Sequence, residues 1–462
     1  MELIMFKKVL VANRGEIAVR IIRALHEMDI KAVAIYSTVD KEALHVQLAD
    51  EAIAVGGPRP QDSYLNMKNI VSAALLTGVD AVHPGYGFLS ENAMFVNMLT
   101  DVGITFIGPH AETIALMGDK AQARETMRAA GVPVIPGSVG TLTDSAEAIA
   151  VSDQIGYPVM LKAAAGGGGK GMRLLNNREE LAQQFERAQA EAKLAFGSAD
   201  MYIEKVMTNV RHIEVQIMRD QQGQTVFFPE RDCSIQRHHQ KMIEVSPAVG
   251  VTSDMRSELG VLAVKAANAL SYENTGTFEF LADRDNNFYF MEMNTRIQVE
   301  HPVTEAVTGL DLVKMQIAVA AGEPLPVQQQ DIQIKQHAIE VRLNAEDPMH
   351  DFRPSAGQVD FTYLPFGGPG IRFDSAMYAG DTVQPYYDSM LGKVIVSADN
   401  RDDVFKKLSR TLDEVVVRSV STNLAVQRAL VKDERVQRGL VPIDFVETDF
   451  LPAWSKEEVQ AP

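Results

Sequence analysis

Between residues 9 and 109 short apolar runs alternate with amphipathic stretches, and this alternation constrains the fold more than any other feature of the chain. VLVA (9–12) reads as a buried strand, IAVRIIRALHEM (17–28) as an amphipathic helix and KAVAIYS (31–37) as a second strand. EAIAVG, a helix through NIVSAALLTG, VDAVHP, a helix from Ser90 and TFIGP continue the pattern. Strands alternating with helices imply a parallel, doubly wound sheet, whose ligands sit beyond the carboxyl ends of its strands. Those ends deliver NRGE (13–16) and HPGYGFLSEN (83–92). Neither is a dinucleotide fingerprint, because the first turn offers only Gly15 where that motif needs three glycines.

A chain of 462 residues exceeds one compact core, and about three domains are expected. GVPVIPGS (131–138) reads as a linker, and a second section ends at AAGEPLPVQQQ (320–330). Beyond it, PFGGPGIRF (365–373) reads as a hairpin, LGKVIVSA (391–398) as a strand and DDVFKKLSRTLDEVV (402–416) as a helix, giving an α+β unit that is mainly antiparallel. The net charge of −17 argues against a nucleic-acid or anionic-membrane partner. No apolar run approaches the roughly 18 residues of a membrane span. Arg14 and Glu16 follow too soon for a secretory leader, and Met5 is an alternative start. The single cysteine, Cys233, precludes an intrachain disulfide and a Cys-rich zinc site, and the expected compartment is the cytoplasm.

Four stretches carry chemistry. KAAAGGGGKGM (162–172) fails as a Walker A loop, since Lys170 is followed by Gly171 and preceded six positions earlier by Ala164. It joins two apparent strands, YPVMLKA and MRLL, and so reads as a flap laying backbone N–H groups over phosphates, with Lys162 beside it. TFEFLADRDNNFYFMEMN (277–294) reads as a hairpin. A four-residue loop from Arg284 to Asn287 places Glu279 opposite Glu292, with Asn294 on the face of Glu292. Facing carboxylates repel, and a divalent ion resolves the conflict. TRIQVEHP then sets Arg296, Gln298 and Glu300 at alternate positions, an anion clamp with a base beside it if the segment is extended. ERDCSIQRHHQK (230–241) concentrates Arg231, Arg237, His238, His239 and Lys241 into a local basic pocket.

With VANRGEIAVRIIRA, FIGP, LMGDK, EVRLNAEDP and YYDSMLGKVI, these stretches resemble the ATP-grasp superfamily and, more narrowly, biotin carboxylase, over roughly residues 5 to 450. The resemblance implies a three-domain ATP-grasp architecture: residues 1–118, a central 119–330 with a mobile lid at about 135–207, and 331–462. It implies that ATP, with Mg²⁺ or Mn²⁺, phosphorylates bicarbonate to carboxyphosphate, which carboxylates biotin. By the same resemblance, Lys120 and Lys162 hold phosphates with the amides of Gly168 and Gly169. Glu204, Lys205, Val206 and Met207 form the adenine hinge, and His212, Gln236 and His239 line the nucleotide. Glu279, Glu292 and Asn294 hold the metal, and Lys241, Arg296, Gln298 and Val299 hold bicarbonate. Glu300 is the base and Arg342 stabilises the biotin enolate. Lys170 stands where Arg is frequent in relatives. No biotinylated-lysine setting is present, so biotin is expected on a separate biotin carboxyl carrier protein, alongside carboxyltransferase subunits of a bacterial acetyl-CoA carboxylase, with the chain a homodimer. The alternatives are another acceptor, pyruvate or propionyl-CoA, and a silent ATP-binding regulatory subunit.

Overall fold

The computed structural model describes residues 5–165 and 171–454. The first section forms a five-stranded parallel sheet of β1 (Lys8–Val11), β2 (Lys31–Ser37), β3 (Glu51–Gly56), β4 (Ala81–His83) and β5 (Thr105–Phe106), in the order β3-β2-β1-β4-β5. The strands are almost wholly apolar at their centres because helices cover both faces. The helix Gly15–Glu27 buries Ile17, Ala18, Ile21, Ile22 and Leu25, the spacing of one helical stripe. The helix expected from Ser90 begins at Ala93 instead. Asn92 accepts the Phe95 amide as its cap, which leaves Ser90 and Glu91 in the preceding turn.

A separate three-stranded antiparallel sheet follows, of β6 (Val159–Ala163), β7 (Met172–Leu175) and β8 (Met201–Lys205) in the order β7-β6-β8, backed by the helices Ser145–Ile155 and Arg178–Phe196. The glycine run falls between β6 and β7, which pair with one another as the two expected strands; residues 166–170, with Gly168, Gly169 and Lys170 among them and the flap reading that rests on them, lie outside the described residues. The linker GVPVIPGS leads into this unit, bridging Phe290 through Val134 and Glu204 through Gly137.

The remaining strands build one nine-stranded sheet. It comprises β9 (Arg211–Arg219), β10 (Thr225–Phe227), β11 (Arg231–Arg237), β12 (Gln240–Ser246), β13 (Asn274–Ala282), β14 (Phe288–Asn294), β15 (His337–Asn344) and the strands Met390–Ala398 and Ile371–Ser375. Its path runs β14-β13-β9-β11-β12-β15 and on to those last two, with β10 hung from β9. Backbone pairing continues unbroken from β12 to β15, so the sheet crosses the linker at 320–330. PFGGPGIRF is not a hairpin: the strand before it, Phe361–Tyr363, pairs with Val416–Arg418, whereas Ile371–Ser375 pairs with Met390–Ala398. Among the described residues no helix is long and apolar enough to cross a membrane.

Candidate active site

One cavity of about 750 Å³ lies between the small sheet, the face of the large sheet near β11–β14 and the turn before Met390. The site residues implied by the family resemblance, among the described ones, all line it except Glu300, which sits one contact behind the wall. One half of the cavity gathers Lys120, Lys162, Glu204, Lys205, Val206, Met207, His212, Gln236 and His239. Lys120 opens the helix Lys120–Ala129, whose cap Asp119 accepts the amides of Ala121 and Gln122, and its Nζ lies 3.0 Å from Glu292 Oε2. Lys162 ends β6 and forms an ion pair with Glu204, which Arg124 Nε approaches to 3.2 Å from the other side. The Lys205 and Val206 amides already donate to the carbonyls of Pro136 and Pro158.

Glu279 and Glu292 do face one another, for a reason the sequence conceals. The turn is five residues, 283–287, one more than expected, and Ala282 pairs with Phe288. A bulge at Met291 then restores the register before Glu292 reaches Glu279. Glu279 Oε1 accepts from Lys241 Nζ at 2.9 Å, Asn294 Nδ2 at 2.8 Å and Gln298 Nε2 at 3.0 Å, while His212 Nε2 lies 3.1 Å from Oε2. Burial raises the Glu279 carboxyl, but Lys241 and His212 outweigh it and hold it below the usual carboxylate range. Two carboxylates and a carboxamide form a hard-oxygen donor set, which suits Mg²⁺ or Mn²⁺ rather than a thiophilic ion. Glu292 lines the cavity and is about a third exposed.

The other half is more compact. Arg296 is anchored by Glu91, with Nε 2.9 Å from Oε2, and its Nη1 donates to Gln298 Oε1 at 3.1 Å. The segment bearing Arg296, Gln298 and Glu300 is bent rather than extended. Glu300 stands at the N-cap position of the helix His301–Thr308, where its side chain makes no capping bond and instead reaches the cluster from behind. Its Oε1 accepts from Lys241 Nζ at 2.5 Å and its Oε2 from Arg342 Nη2 at 3.0 Å. Burial alone would raise this carboxyl; Lys241, Arg342 and Arg231 together hold it well below its ordinary value. Lys241 also contacts Glu214, so one ammonium serves three carboxylates.

The expected basic pocket is only partly one. Of its residues, His239 and Lys241 line the cavity. Arg231 is fully buried, its Nη1 donating to Gln216 at 3.0 Å and Thr304 at 2.9 Å and its Nε to Glu214. Arg237 leaves for Asp351 and the Phe352 ring, and His238 for Glu447. Strand alternation and the two-residue turn at His238–His239 explain the dispersal. Glu214, Glu244 and Glu91 escaped attention; a carboxylate inside the apolar run HIEVQI was the available signal for Glu214.

The family model for the biotin carboxylase N-terminal domain matches residues 5–114, and that for the biotin carboxylase C-terminal domain matches 340–448. The model for the carbamoyl-phosphate synthase L chain ATP-binding domain matches 119–328. Biotin carboxylase of Nostoc sp. is 51% identical over 442 residues, 96% of this chain and 99% of the relative. The chain belongs to the biotin carboxylase family. Biotin carboxylase 1 of Bacillus subtilis is likewise 51% identical, across 96% of this chain and 99% of its own length. Among solved structures, the biotin carboxylase domain dimer of Hydrogenobacter thermophilus 2-oxoglutarate carboxylase, in complex with MgADP, ADP and bicarbonate, superposes with a TM-score of 0.92 at 48% identity, covering 96% of this chain and 98% of that one. The Campylobacter jejuni biotin carboxylase complex with β,γ-ATP gives 0.92 at 44% identity, with the same coverage of 96% and 98%. The family is one of ATP-dependent biotin carboxylases, ligases of the ATP-grasp architecture expected from the sequence, and the chain shares that activity and architecture.

Proposed function

We propose that this chain phosphorylates bicarbonate with ATP and passes the resulting CO₂ to biotin borne on a separate carrier protein. The observation that carries the reading is the shared Lys241: one ammonium links the metal-type carboxylate Glu279 to Glu300, so the phosphate and bicarbonate ends of the cavity meet at a single group. Lys120, Lys162 and the flap glycines cradle the phosphates, with His212, Gln236 and His239 along the nucleotide and the hinge from Glu204 to Met207 at the base. Lys241, Arg296, Gln298 and Val299 hold bicarbonate. Glu300 accepts its proton while the freed oxygen attacks the terminal phosphorus and ADP departs. Glu279, Glu292 and Asn294 would hold Mg²⁺ or Mn²⁺, which would supply neutralising charge for the transferring phosphoryl group. Carboxyphosphate then breaks to CO₂ and phosphate; the phosphate takes the proton of the biotin ureido N–H, Arg342 stabilises the resulting enolate, and the nitrogen forms its bond to CO₂.

The small sheet with its two helices supports a lid over about residues 135–207, within domains of 1–118, 119–330 and 331–462; its closure keeps carboxyphosphate from water. We place the chain in a cytoplasmic acetyl-CoA carboxylase feeding fatty-acid synthesis, as a homodimer working with a biotin carboxyl carrier protein and carboxyltransferase subunits. A second acceptor is favoured by structures named for pyruvate carboxylase and 2-oxoglutarate carboxylase at 47–49% identity. The transferase subunit that co-purifies distinguishes the two. Arg342→Ala is expected to abolish the acceleration of ADP release by free biotin, while slow bicarbonate-dependent release persists. An unaltered biotin response in that variant contradicts the role of Arg342.

A further inference from the structure

Behind Arg342 lies a group of acids that the reaction steps above do not use. Glu244 on β12 and Glu340 on β15 stand directly opposite in the antiparallel ladder, and both side chains are wholly buried. Cross-strand partners bring their Cβ atoms to about 4.5–5.5 Å, and like charges so placed repel. Arg342 Nε satisfies Glu244 Oε1 at 2.6 Å. Glu244 Oε2 and both oxygens of Glu340 have no hydrogen-bond partner among the described residues. Lys393, on the strand Met390–Ala398 that pairs with β15, is engaged elsewhere: its Nζ donates to the Val299 carbonyl at 2.8 Å and lies 3.0 Å from Glu16 Oε1. Two ionised carboxylates with three bare oxygens cannot persist in such a place.

We propose that Glu244 and Glu340 share one proton and act as a positioning pair for Arg342, a role that rests on the biotin-carboxylating reading above. With a single charge between them, the pair balances the guanidinium and leaves its other edge, Nη2, for Glu300 and the cavity. Burial pushes Glu340 well above the ordinary carboxylate value against the pull of Lys393, and pushes Glu244 up to about 7 against that of Arg342. Raising the pH removes the shared proton, adds a second buried charge beside Arg342 and draws its field away from substrate. Biotin-dependent turnover therefore falls on the alkaline side.

Apart from Glu16 and Glu214, which burial also raises, the other groups around the pair do not supply that fall, and the response of Glu340→Gln separates the pair from those two. Lys241 on β12, Cys233 on β11, Lys393 on the strand Met390–Ala398 and Tyr86 from the loop after β4 all hold their protons above their ordinary values. Burial would raise Glu300, but its cations keep it ionised, and burial keeps His301 neutral. Asp374 is ionised beside Arg372, despite burial, and Glu16 lies behind Lys393, raised by its own burial.

The test is the pH profile of ADP release by the intact protein with bicarbonate and free biotin, in wild type and Glu340→Gln, together with infrared difference spectra. Gln cannot ionise, so the alkaline limb is expected to move up by about one pH unit or more. KM for ATP should stay within about twofold, since the pair lies beyond the phosphates. The wild type should show a protonated-carboxyl C=O band at neutral pH that bleaches as pH rises and is missing from Glu340→Gln. Should Glu340→Gln fail to fold, Glu244→Gln removes the same second ionisation and must move the limb likewise. A missing band overturns the shared proton whatever the reaction is. A present band with superimposable pH profiles overturns its link to Arg342 and leaves the biotin carboxylase reading intact.

Discussion

Glu300→Gln is expected to lower bicarbonate-dependent ADP release by about 10²–10⁴-fold, the range for losing a positioned general base. The substitution keeps the shape and one acceptor oxygen, so only one of Lys241 and Arg342 retains its contact, the other faces an amide NH2, and the proton acceptor is gone. The geometry adds a condition. A carboxylate held ionised by two cations at 2.5 and 3.0 Å is a poor base until one cation is shared with another anion. Bicarbonate on Lys241 and Arg296 supplies that anion, so Glu300 gains basicity as the substrate arrives. KM for ATP in the variant is expected to change little, because Glu300 does not line the cavity wall. Steady-state ADP release checks this directly; a rate within threefold of wild type contradicts the assignment of Glu300 as base.

Lys241→Met should be the most damaging single change to both stability and turnover. Its ammonium contacts Glu214, Glu279 and Glu300 at 2.5, 2.9 and 2.5 Å, and all three carboxylates are buried. Removing one partner of a buried ion cluster costs about 3–5 kcal/mol, since the remaining charges are left uncompensated. The sign with pH follows from Glu279 and Glu300. Burial raises both, but Lys241 leads the interactions that bring them below the unfolded value. Their contribution is present above the ordinary carboxylate range and is lost as pH falls through the depressed values. In the variant both rise, so its deficit is largest near neutral pH and shrinks toward acid. Denaturant unfolding at neutral and acid pH measures this; an equal deficit at both contradicts it.

The parallel sheet and the chemistry-bearing hairpin were legible because local pattern decides them: period-two and period-3.6 apolar spacing fall within one element. Even there, the facing of Glu279 and Glu292 came out right through two compensating departures, the longer turn and the bulge at Met291. Pairings between distant segments were not legible. Nothing local says that β12 pairs with β15 across the linker, or that the two strands flanking PFGGPGIRF seek different partners. The basic stretch misled for a related reason. Its residues share a sequence window, yet Arg231 points to Glu214 in the interior and Arg237 to Asp351 at the rim. A charge in a strand declares its side of the sheet only once the partner strand is known. The HPGYGFLSEN turn, ambiguous by itself, takes its meaning from Glu91 holding Arg296.

The most direct measurement is ADP release by the purified protein with Mg²⁺ and ATP, in degassed, bicarbonate-free buffer and after bicarbonate is restored. Release should be slow without bicarbonate, rise on its addition, rise further with free biotin, and show neither rise in Glu300→Gln. Release at one rate with and without bicarbonate contradicts the carboxylase chemistry assigned to the cavity.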